Sequence, residues 1–593
     1  MAPALESSPL GPDAPHPLPP LPRSVSPHSA PWVPVLALAA SEYPAQCFIH
    51  TLDSLIHFPE HSSSTILRAD ILADVSFDDP DALDNDRGKG KAKATERQFD
   101  LDGFHLERRV RRRILPKRPQ FDHAMEQDCL VYSRPGPDGA REVLVLFVVD
   151  LDLLERDTHQ RTPPYYHPQV STLAFRYLPA SLSPDPDAPS PTLRIDLVPL
   201  PDAPLSAPLD PRDRLFRTSL SLLKTIDKRS KGSSAGYEKR VNHDLLVPKE
   251  QVQDVYQRLK SKYSRVITSV DDPTARITFP RFLASSWVEK TDPSKHVFED
   301  VAICAWLICL WQGMYPVTAS GSGADQVGRA EPKGGFVDVG CGNGLLVYLL
   351  NSEGYRGYGL DLRSRRSWSL YSPAPDLRLT SLSPPTMVRT ALETDAAPFP
   401  KGAFLIGNHA DELSPWIPLL AAVTPGSAYL NIPCCLHDLV GRFESKTYSI
   451  PRAYLDSLPA APPTTTKDGP ALPDAHPLLY PFYHPTPSYL VDKSRYASYQ
   501  LFLAHLSLAC GFVPEREALR IPSTKNYGLV GRKRLWDSCP RGEGGDAADA
   551  ERARIDGERR AREHVGELMD DVERRLGNEG WIARVPEGKA GDH

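Results

Sequence analysis

The chain has 593 residues, a formal net charge of -6 and 61 prolines, about twice the usual share. This length exceeds what one hydrophobic core supports, so we expect two or three folded units. The negative charge excludes a general attraction to nucleic acid, and any such contact must come from local basic patches. Nine cysteines without C-x-x-C spacing favour a reducing compartment over a disulfide scaffold and imply no metal.

Targeting signals are not evident in the sequence. The longest apolar run, residues 301–311, is shorter than the roughly 20 residues that span a bilayer and is better explained as a buried helix. Glu6 and Asp13 precede the first arginine, Arg23, without an apolar stretch, which fits neither a secretory signal nor a transit peptide. We therefore expect a cytoplasmic protein with no membrane contact; a nuclear location is the alternative.

The N-terminal part predicts a tail followed by an α+β region. Proline-rich residues 1–34 are expected to form a disordered tail, and residues 32–74 have roughly helical spacing. Alternating or apolar runs then predict four strands, at residues 129–133, 142–149, 172–178 and 192–198. Asp210-Pro211 would start a helix that packs on this sheet. We therefore expect an accessory α+β region over residues 35–230.

Two basic clusters could contact phosphates. The first holds seven cations within eleven residues and one flanking acid, Glu107. Its members are Arg108, Arg109, Arg111, Arg112, Arg113, Lys117 and Arg118. The second runs from Lys228-Arg229-Ser-Lys231 to Lys239-Arg240. Such runs are usually solvated faces, but the density of the first favours nucleic-acid contact.

The C-terminal half predicts a doubly wound α/β domain over residues 237–535. Four strand patterns, at residues 335–339, 355–360, 403–407 and 428–432, alternate with helical segments, as in a parallel sheet. A helix over residues 494–510 and two further strands, 515–521 and 527–531, would add an antiparallel edge. Residues 536–593 are highly charged, and we expect a solvated tail, helical over residues 549–576.

The turn after the first of these strands has the pattern D-x-G-x-G-x-G, with Asp338, Gly340, Gly342 and Gly344. The dinucleotide fingerprint is G-x-G-x-x-G, and an acid inside the turn would repel a pyrophosphate but suits a cationic ligand. Asp361, at the end of the next strand, could accept both ribose hydroxyls of an adenosine. The turn thus resembles motif I of S-adenosylmethionine-dependent methyltransferases; a turn without a ligand is the alternative.

Further polar residues follow later strands at the same predicted sheet edge. Asn408, His409 and Asp411 leave the strand at residues 403–407, although Asp411 could simply cap the next helix. His437 follows the next strand, where a structural role is the commoner one. Lys525 lies in the turn between the last two strands and could overhang this edge or be solvated.

Several motifs together resemble the fungal tRNA(Ser) uridine 2'-O-methyltransferase family, across roughly residues 108–532. They are residues 241–249, 287–302, 336–344, 359–368, 407–413 and 494–500. The resemblance implies a Rossmann-like class I methyltransferase, with a mostly parallel sheet and an antiparallel edge, behind the N-terminal α+β region. It also implies methyl transfer from S-adenosylmethionine to the ribose 2'-hydroxyl of a uridine at the base of the variable arm of serine tRNA.

The resemblance assigns roles to the residues above. Cofactor binding falls to Asp338, Gly340, Gly342, Gly344, Asp361, Asn408 and His409. Several other ribose methyltransferases use a lysine-aspartate-lysine-glutamate group, and we predict Asp411, Lys525 and Lys290 as catalytic here, although no lysine follows residues 428–432. We hypothesise that Asp411 orients Lys525 as general base. The first basic cluster would hold tRNA, and we expect neither DNA nor metal as a ligand.

Three other functions stay open at this point. A nicotinamide-dependent dehydrogenase would use the same layered fold, but the glycine spacing disfavours it. A tRNA-binding or scaffold protein without catalysis could retain the cofactor pocket. A methyltransferase acting on another RNA would share every motif of the cofactor site.

Overall fold

The computed structural model describes residues 7–21, 25, 30–40, 42–77, 101–119, 121–136, 139–182, 190–237, 243–264, 289, 292–318, 328–458, 476–482, 494–538, 547–577 and 580–581. The chain divides into two compact units, Met1–Glu238 and Lys239–His593. Each unit buries its own hydrophobic core.

The first unit is built on an eight-stranded antiparallel sheet in the order β1-β2-β8-β7-β6-β5-β4-β3. Its strands are β1 Ser7–Pro9, β2 Val33–Ala39, β3 Ile66–Ser76, β4 His105–Pro116, β5 Met125–Pro135, β6 Arg141–Val149, β7 Thr172–Leu178 and β8 Thr192–Val198. The four strands predicted from alternation are confirmed as β5 to β8. Strands β1 to β4 were not predicted. The helical interpretation of residues 32–74 holds for Ala45–His57 but is wrong for β2 and β3, and in β3 and β4 arginines and acids hide the alternation.

In the described part of this unit, three helices accompany the sheet: α1 Ala45–His57, α2 Leu151–Thr158 and α3 Arg214–Ser234. Phe48 and Leu52 of α1 and Leu223 and Ile226 of α3 are buried in one core with the inner strands. These positions recur every three or four residues, so each helix turns one apolar stripe to the sheet. The fold class expected for this region, α+β, is confirmed.

The other face of the sheet is covered by the N-terminal segment. Leu18 and Leu21 are buried there together with side chains of β5 and β6. The Arg176 guanidinium donates to the His16 carbonyl at 2.7 Å, and the Trp32 indole N–H donates to the Pro19 carbonyl at 2.8 Å. The prediction of a disordered tail is therefore wrong for the described residues before 34, because an extended proline-rich chain can cover a sheet without forming a helix.

The second unit contains a seven-stranded sheet in the order β13-β12-β11-β14-β15-β17-β16. Its strands are β11 Phe336–Val339, β12 Gly357–Asp361, β13 Leu377–Leu379, β14 Phe404–Asn408, β15 Ala428–Ile432, β16 Phe512–Ala518 and β17 Tyr527–Arg534, after a short pair, β9 Val317–Thr318 and β10 Arg329–Ala330. The first five strands are parallel, and β17 is antiparallel to β15 and β16. The predicted mixed sheet is confirmed; β13 was not predicted.

Helices cover both faces of this sheet. They are α4 Lys249–Ser264, α5 Pro293–Met314, α6 Leu345–Ser352, α7 Pro384–Thr394, α8 Ile417–Ala422, α9 Arg452–Asp456, α10 Arg495–Ala509 and α11 Ala547–Leu576. Side chains of α4, α5 and α6 share one core with the sheet, and side chains of α7, α8, α10 and α11 share the other. The unit is thus the three-layered α/β structure that the alternating pattern predicted.

Helix α5 of the second unit is both long and apolar. Among the described residues, Lys295–Met314 is the single stretch long and apolar enough to cross a membrane, and 72% of its most apolar window is buried. The α5 residue Trp311 packs on Phe336 and Phe404 of the sheet, with ring centroids 6.1 and 5.5 Å apart. Packing on the sheet therefore accounts for its apolar composition.

Helix α11 corrects the prediction for the C-terminus. The sequence correctly predicted a helix there but wrongly predicted a solvated one. Val565, Met569 and Val572 are at most 1% exposed and join the core beneath α7, α8 and α10. Arg389 of α7 binds two carboxylates of α11 at 2.7 Å each. The charged residues dominate the composition, but the apolar stripe between them decides the packing.

Candidate functional site

The polar residues that follow β11, β12 and β14 meet at one edge of the sheet. β11 pairs with β12 on one side and β14 on the other, so that the three strands end together. A cleft of about 780 Å³ opens at this edge. Its lining includes Gly340, Gly342, Asp361, Thr380, Leu382, His409, Asp411, His437, Arg442 and Trp581. Open α/β sheets bind their ligands at such a switch point.

The glycine turn presents its backbone to this cleft. Gly340, Gly342 and Gly344 have φ of 82°, 51° and 74°, conformations that other residues adopt at a cost. The Gly342 N–H donates to Asp361 Oδ2 at 2.9 Å, and the Gly342 carbonyl accepts the indole N–H of Trp368 at 2.9 Å. The turn is therefore held from both sides, and a Cβ at Gly342 would meet no atom within 4 Å, so a ligand can approach the backbone there.

Four carboxyl groups surround the turn. Asp338 and Asp300 are 1% and 7% exposed, and Glu299 and Asp361 lie beside them. Burial and the neighbouring Asp300 and Asp361 hold the pKa of Asp338 well above its usual range. Burial and Glu299 raise the pKa of Asp300 to about 7. A cation bound here would relieve this repulsion, because it stabilises the ionised form of each acid.

Asn408 and His409 connect β14 to these acids. The Asn408 amide donates to Asp300 Oδ1 at 3.3 Å, and His409 Nε2 lies 3.0 Å from Glu299 Oε1. Burial opposes ionisation of Glu299, but the hydrogen bond and charge of His409 keep its pKa below the ordinary value. Asn408 Oδ1 and His409 Nδ1 are buried and have no partner among the described atoms. Buried polar atoms of this kind point to a ligand.

Sequence reasoning missed Glu299 and Asp300 as site residues. Both occupy adjacent positions on α5, in a helix that is otherwise almost entirely apolar. Two neighbouring acids in such a helix are a signal in themselves, because buried carboxyl groups are rare without a function or a partner. Trp368 was noted only as part of a motif, and the structure shows that it secures the glycine turn.

Asp411 and Lys525, two of the three predicted catalytic residues, form no ion pair with each other. Asp411 lines the cleft in a left-handed conformation, φ 41°, and accepts the Cys434 thiol at 3.2 Å. Lys525 lies at the same edge of the sheet, with its ammonium group 4.0 Å above the Tyr496 ring. Among the described residues, neither Asp411 nor Lys525 has an ion-pair partner. Lys290 lies outside the described residues.

Asp411 also approaches two thiols. One potential ligand atom from each of Asp411, Cys434 and Cys435 lies within 4.8 Å of the others. The two sulfur atoms are 3.6 Å apart, and Asp411 is exposed. Thiolate and carboxylate ligands at this separation suit zinc by chemistry, but a three-ligand set is smaller than a structural zinc site. The expectation that no metal is bound stays a prediction.

The first basic cluster lies mostly on β4, where it faces acids. Arg108, Arg109 and Arg111 form ion pairs with N–O distances of 2.6 to 2.9 Å. Their partners are Asp53, Asp74, Glu126, Asp128 and Asp150. Glu126 and Asp128 come from β5, which pairs with β4. The sequence shows one flanking acid, but the fold supplies five, from β3, β5, α1 and the residue before α2, and these acids compensate the three charges.

Arg112 corrects the prediction directly. Its side chain is 2% exposed and donates to Gln127 Oε1 and to the carbonyls of Leu55 and Ile56. Its guanidinium also lies 4.6 Å above the Phe147 ring. The prediction that Arg112 contacts RNA is therefore wrong, because every donor direction is turned into the core.

The three remaining members of the first basic cluster are accessible to a ligand. Arg113, Lys117 and Arg118 are exposed, and none forms an ion pair with a described residue. Their contact with RNA stays a prediction.

The second unit fits S-adenosylmethionine. Each Asp361 oxygen accepts one backbone N–H, from Gly342 or Arg363, and keeps a lone pair for a ribose hydroxyl. The buried acids favour the cationic methionine end, and Asn408 Oδ1 offers an unused acceptor. The strand order, the glycine turn and Asp361 together define a class I S-adenosylmethionine-dependent methyltransferase.

Comparisons with known proteins agree with this class. Residues 12–240 match a family described as "TRM44-like, N-terminal bet v1-like domain", and residues 246–382 match one described as "Predicted AdoMet-dependent methyltransferase". Three fungal relatives carry the name tRNA (uracil-O(2)-)-methyltransferase. The Neurospora crassa protein is 35% identical to this chain, and the match covers 82% of this chain and 83% of the relative. The Schizosaccharomyces pombe protein is 34% identical, with 83% of this chain and 84% of the relative covered. The Yarrowia lipolytica protein is 31% identical, with 85% of this chain and 90% of the relative covered. The chain belongs to this family of fungal tRNA (uracil-O(2)-)-methyltransferases.

Proposed function

We propose that this protein methylates the ribose 2'-hydroxyl of a uridine in tRNA, and that the acceptor is the uridine at the base of the variable arm of serine tRNA. Membership of the family supports the reaction and the tRNA substrate. The restriction to serine tRNA is supported by the motifs of the sequence. S-adenosylmethionine supplies the methyl group, as an electrophilic carbon on a sulfonium.

One observation supports the proposed reaction: the residues that fit the methyl donor and polar atoms without a partner among the described residues lie at the same cleft. Gly342, Asp361 and His409 all line the cleft, and the half-buried side chains of His409 and the preceding Asn408 each keep one buried polar atom without a partner among the described residues. An alcohol is a very weak acid, so the hydroxyl needs both an aligned electrophile and a proton acceptor. A protein that kept the pocket only as a scaffold would have no need for a held, unpartnered imidazole.

The test uses purified protein, tritiated S-adenosylmethionine and unmodified tRNA transcripts. We expect one methyl group per serine tRNA, and none when the acceptor uridine is replaced by its 2'-deoxy form. Asp361→Ala should weaken the cofactor at least tenfold, because both ribose hydroxyls lose their acceptor. Labelling of the deoxy transcript, or no labelling of serine tRNA, would contradict the proposal. Equal labelling of other tRNAs would contradict the restriction to serine tRNA.

The proton acceptor has two candidates. The sequence predicts Lys525 oriented by Asp411, and the structure offers His409, whose Nε2 is held by Glu299 while Nδ1 remains free. We favour His409, because a carboxylate fixes the ring and a neutral imidazole nitrogen can take the proton. In this role His409 Nδ1 receives the hydroxyl proton and Glu299 stabilises the charged ring that results.

Measuring kcat with saturating substrates distinguishes the two candidate proton acceptors, Lys525 and His409. We expect His409→Gln to lower kcat by about 10²- to 10⁴-fold with little change in cofactor affinity, and Glu299→Gln to lower it less. Asp411→Asn and Lys525→Met should then retain most of the activity. A large loss in Asp411→Asn and Lys525→Met with an active His409→Gln would instead establish the lysine hypothesis. A change in cofactor Kd alone in His409→Gln would limit His409 to cofactor binding.

The cytoplasmic location expected from the sequence stays a proposal. Fluorescence microscopy of the tagged full-length chain tests it, and a purely nuclear signal would contradict it.

A further inference from the structure

Helix α3 of the first unit carries a row of cations on its outer face. Arg217, Lys224, Lys228 and Lys231 are all exposed and follow one another at spacings of seven, four and three residues. These spacings place them on one side of a helix. The opposite side is fixed in the core by Phe216, Leu223 and Ile226, which are at most 4% exposed. The core contacts thus dictate that the cationic row faces outward.

This cationic row, unlike the β4 arginines, is not neutralised. Arg217, Lys224, Lys228 and Lys231 form no ion pair with any described residue. The single acid within α3, Asp227, is 3% exposed and lies on the buried side. Four positive charges are therefore presented to solvent without compensation, in a protein whose net charge is -6. Such a local field attracts a polyanion despite the overall charge.

The shape beside the row also suits a backbone of phosphates. An open groove of about 660 Å³ runs along α3, and Lys224, Lys228 and Arg229 line it together with the Ser221 and Thr225 hydroxyls. Residues four apart on a helix are about 6 Å apart along its axis, so several anionic groups of one strand can be met at once. The lining contains one apolar side chain, Leu220, and one aromatic ring, the imidazole of His61, whereas a surface that inserts into a bilayer carries several Trp, Phe or Leu side chains.

We propose that the cationic row of α3 binds the phosphate backbone of the tRNA substrate. The proposal rests on the tRNA specificity given above, and it assigns to the first unit the task of holding the RNA by charge. We expect this contact to depend little on base sequence, because attraction between cations and phosphates is the same for every base. It therefore contributes affinity, and the choice of tRNA comes from elsewhere.

The experiment compares two triple variants of the full-length chain. Arg217→Gln/Lys224→Gln/Lys228→Gln removes three of the four charges of the row, and Arg156→Gln/Lys333→Gln/Lys401→Gln removes three exposed cations outside both basic clusters as a matched control. Binding of unmodified serine tRNA is measured by fluorescence anisotropy over a range of salt concentrations. We expect the row variant to bind at least about tenfold more weakly and to flatten the slope of log K against log salt by about 2 to 3. The control should change both values much less.

Cofactor affinity and kcat at saturating tRNA should stay within about twofold of wild type, since the row lies in the other unit. Lys224→Arg/Lys228→Arg should retain binding, which separates loss of charge from loss of folding. Unchanged affinity and slope in the row variant, or an equal loss in the control, would overturn the proposal. So would binding of the row to anionic vesicles with no effect on tRNA. If wild type binds tRNA through the row but methylates none, the proposed function fails while this inference stands.

Discussion

Asp300 is a carboxyl group on an apolar helix, and it faces two further acids, Glu299 and Asp338, and the amides of Asn343 and Asn408. Burial and Glu299 raise its pKa to about 7, so its surroundings disfavour the charged form. The nearby Asp338 behaves in the same way. At the residue scale, therefore, the carboxyl groups of the site repel one another when ionised, and a bound cationic ligand would reduce this repulsion. The same repulsion should be visible in the stability of the ligand-free protein.

We predict that Asp300→Asn stabilises the ligand-free protein in a pH-dependent way. The pKa of an unfolded aspartate is about 4, so between about pH 4 and pH 7 the folded chain retains a proton that the unfolded chain has lost. Stability of the wild type therefore falls as pH rises through this range. The stability that Asp300→Asn adds should be largest at pH 8 and shrink towards pH 4. Thermal unfolding of both proteins without cofactor, at a series of pH values, measures this difference. A gain of equal size at both ends of the range would contradict the explanation.

At the scale of elements, α11 shows how a charged helix can be a core helix. Its residues Val565, Met569 and Val572 form one stripe, spaced by four and three residues. Arg562 and Arg575 also bind Asp395 and Asp438 outside the helix. Helix α11 is therefore an integral layer of the methyltransferase unit, and it leads to Trp581 in the wall of the cleft.

Removing one buried side chain of α11 should cost stability. We expect Met569→Ala to lower the free energy of unfolding by about 2 to 5 kcal/mol, because it leaves a cavity beneath the helix. The exposed Glu567→Ala should change it by less than about 0.5 kcal/mol. Urea unfolding followed by circular dichroism makes the comparison. Equal effects of the two substitutions would mean that the helix is solvated after all.

At the scale of the whole molecule, the chain divides into a unit that binds the cofactor and a unit with an uncompensated cationic row. Each has a separate core, so a ligand of one need not order the other. The two units suit different ligands because their binding surfaces carry opposite charge. The donor site is acidic and suits a cation, whereas the row on α3 is basic and suits a polyanion.

We predict that S-adenosylmethionine protects the second unit selectively. At a concentration of 100 times its Kd, it should add about 2.7 kcal/mol to the stability of the unit that binds it. Hydrogen exchange should slow in the strands β11, β12 and β14 and remain unchanged in β5 to β8 of the first unit. Equal slowing in both sheets would show that the two units are coupled.

The sequence by itself determined the strands with clean alternation, the parallel sheet and the position of the glycine turn and Asp361. Those signals are local, since each is set by side-chain periodicity or by the backbone freedom of glycine. Tertiary structure alone decided which charges are free. Arg112 is buried and Arg111 is paired with acids from the neighbouring strand and from the loop at Asp150, whereas Lys224 and Lys228 on α3 meet none among the described residues. Charge compensation depends on partners far along the chain, and so does the pairing of His409 with Glu299, 110 residues before it.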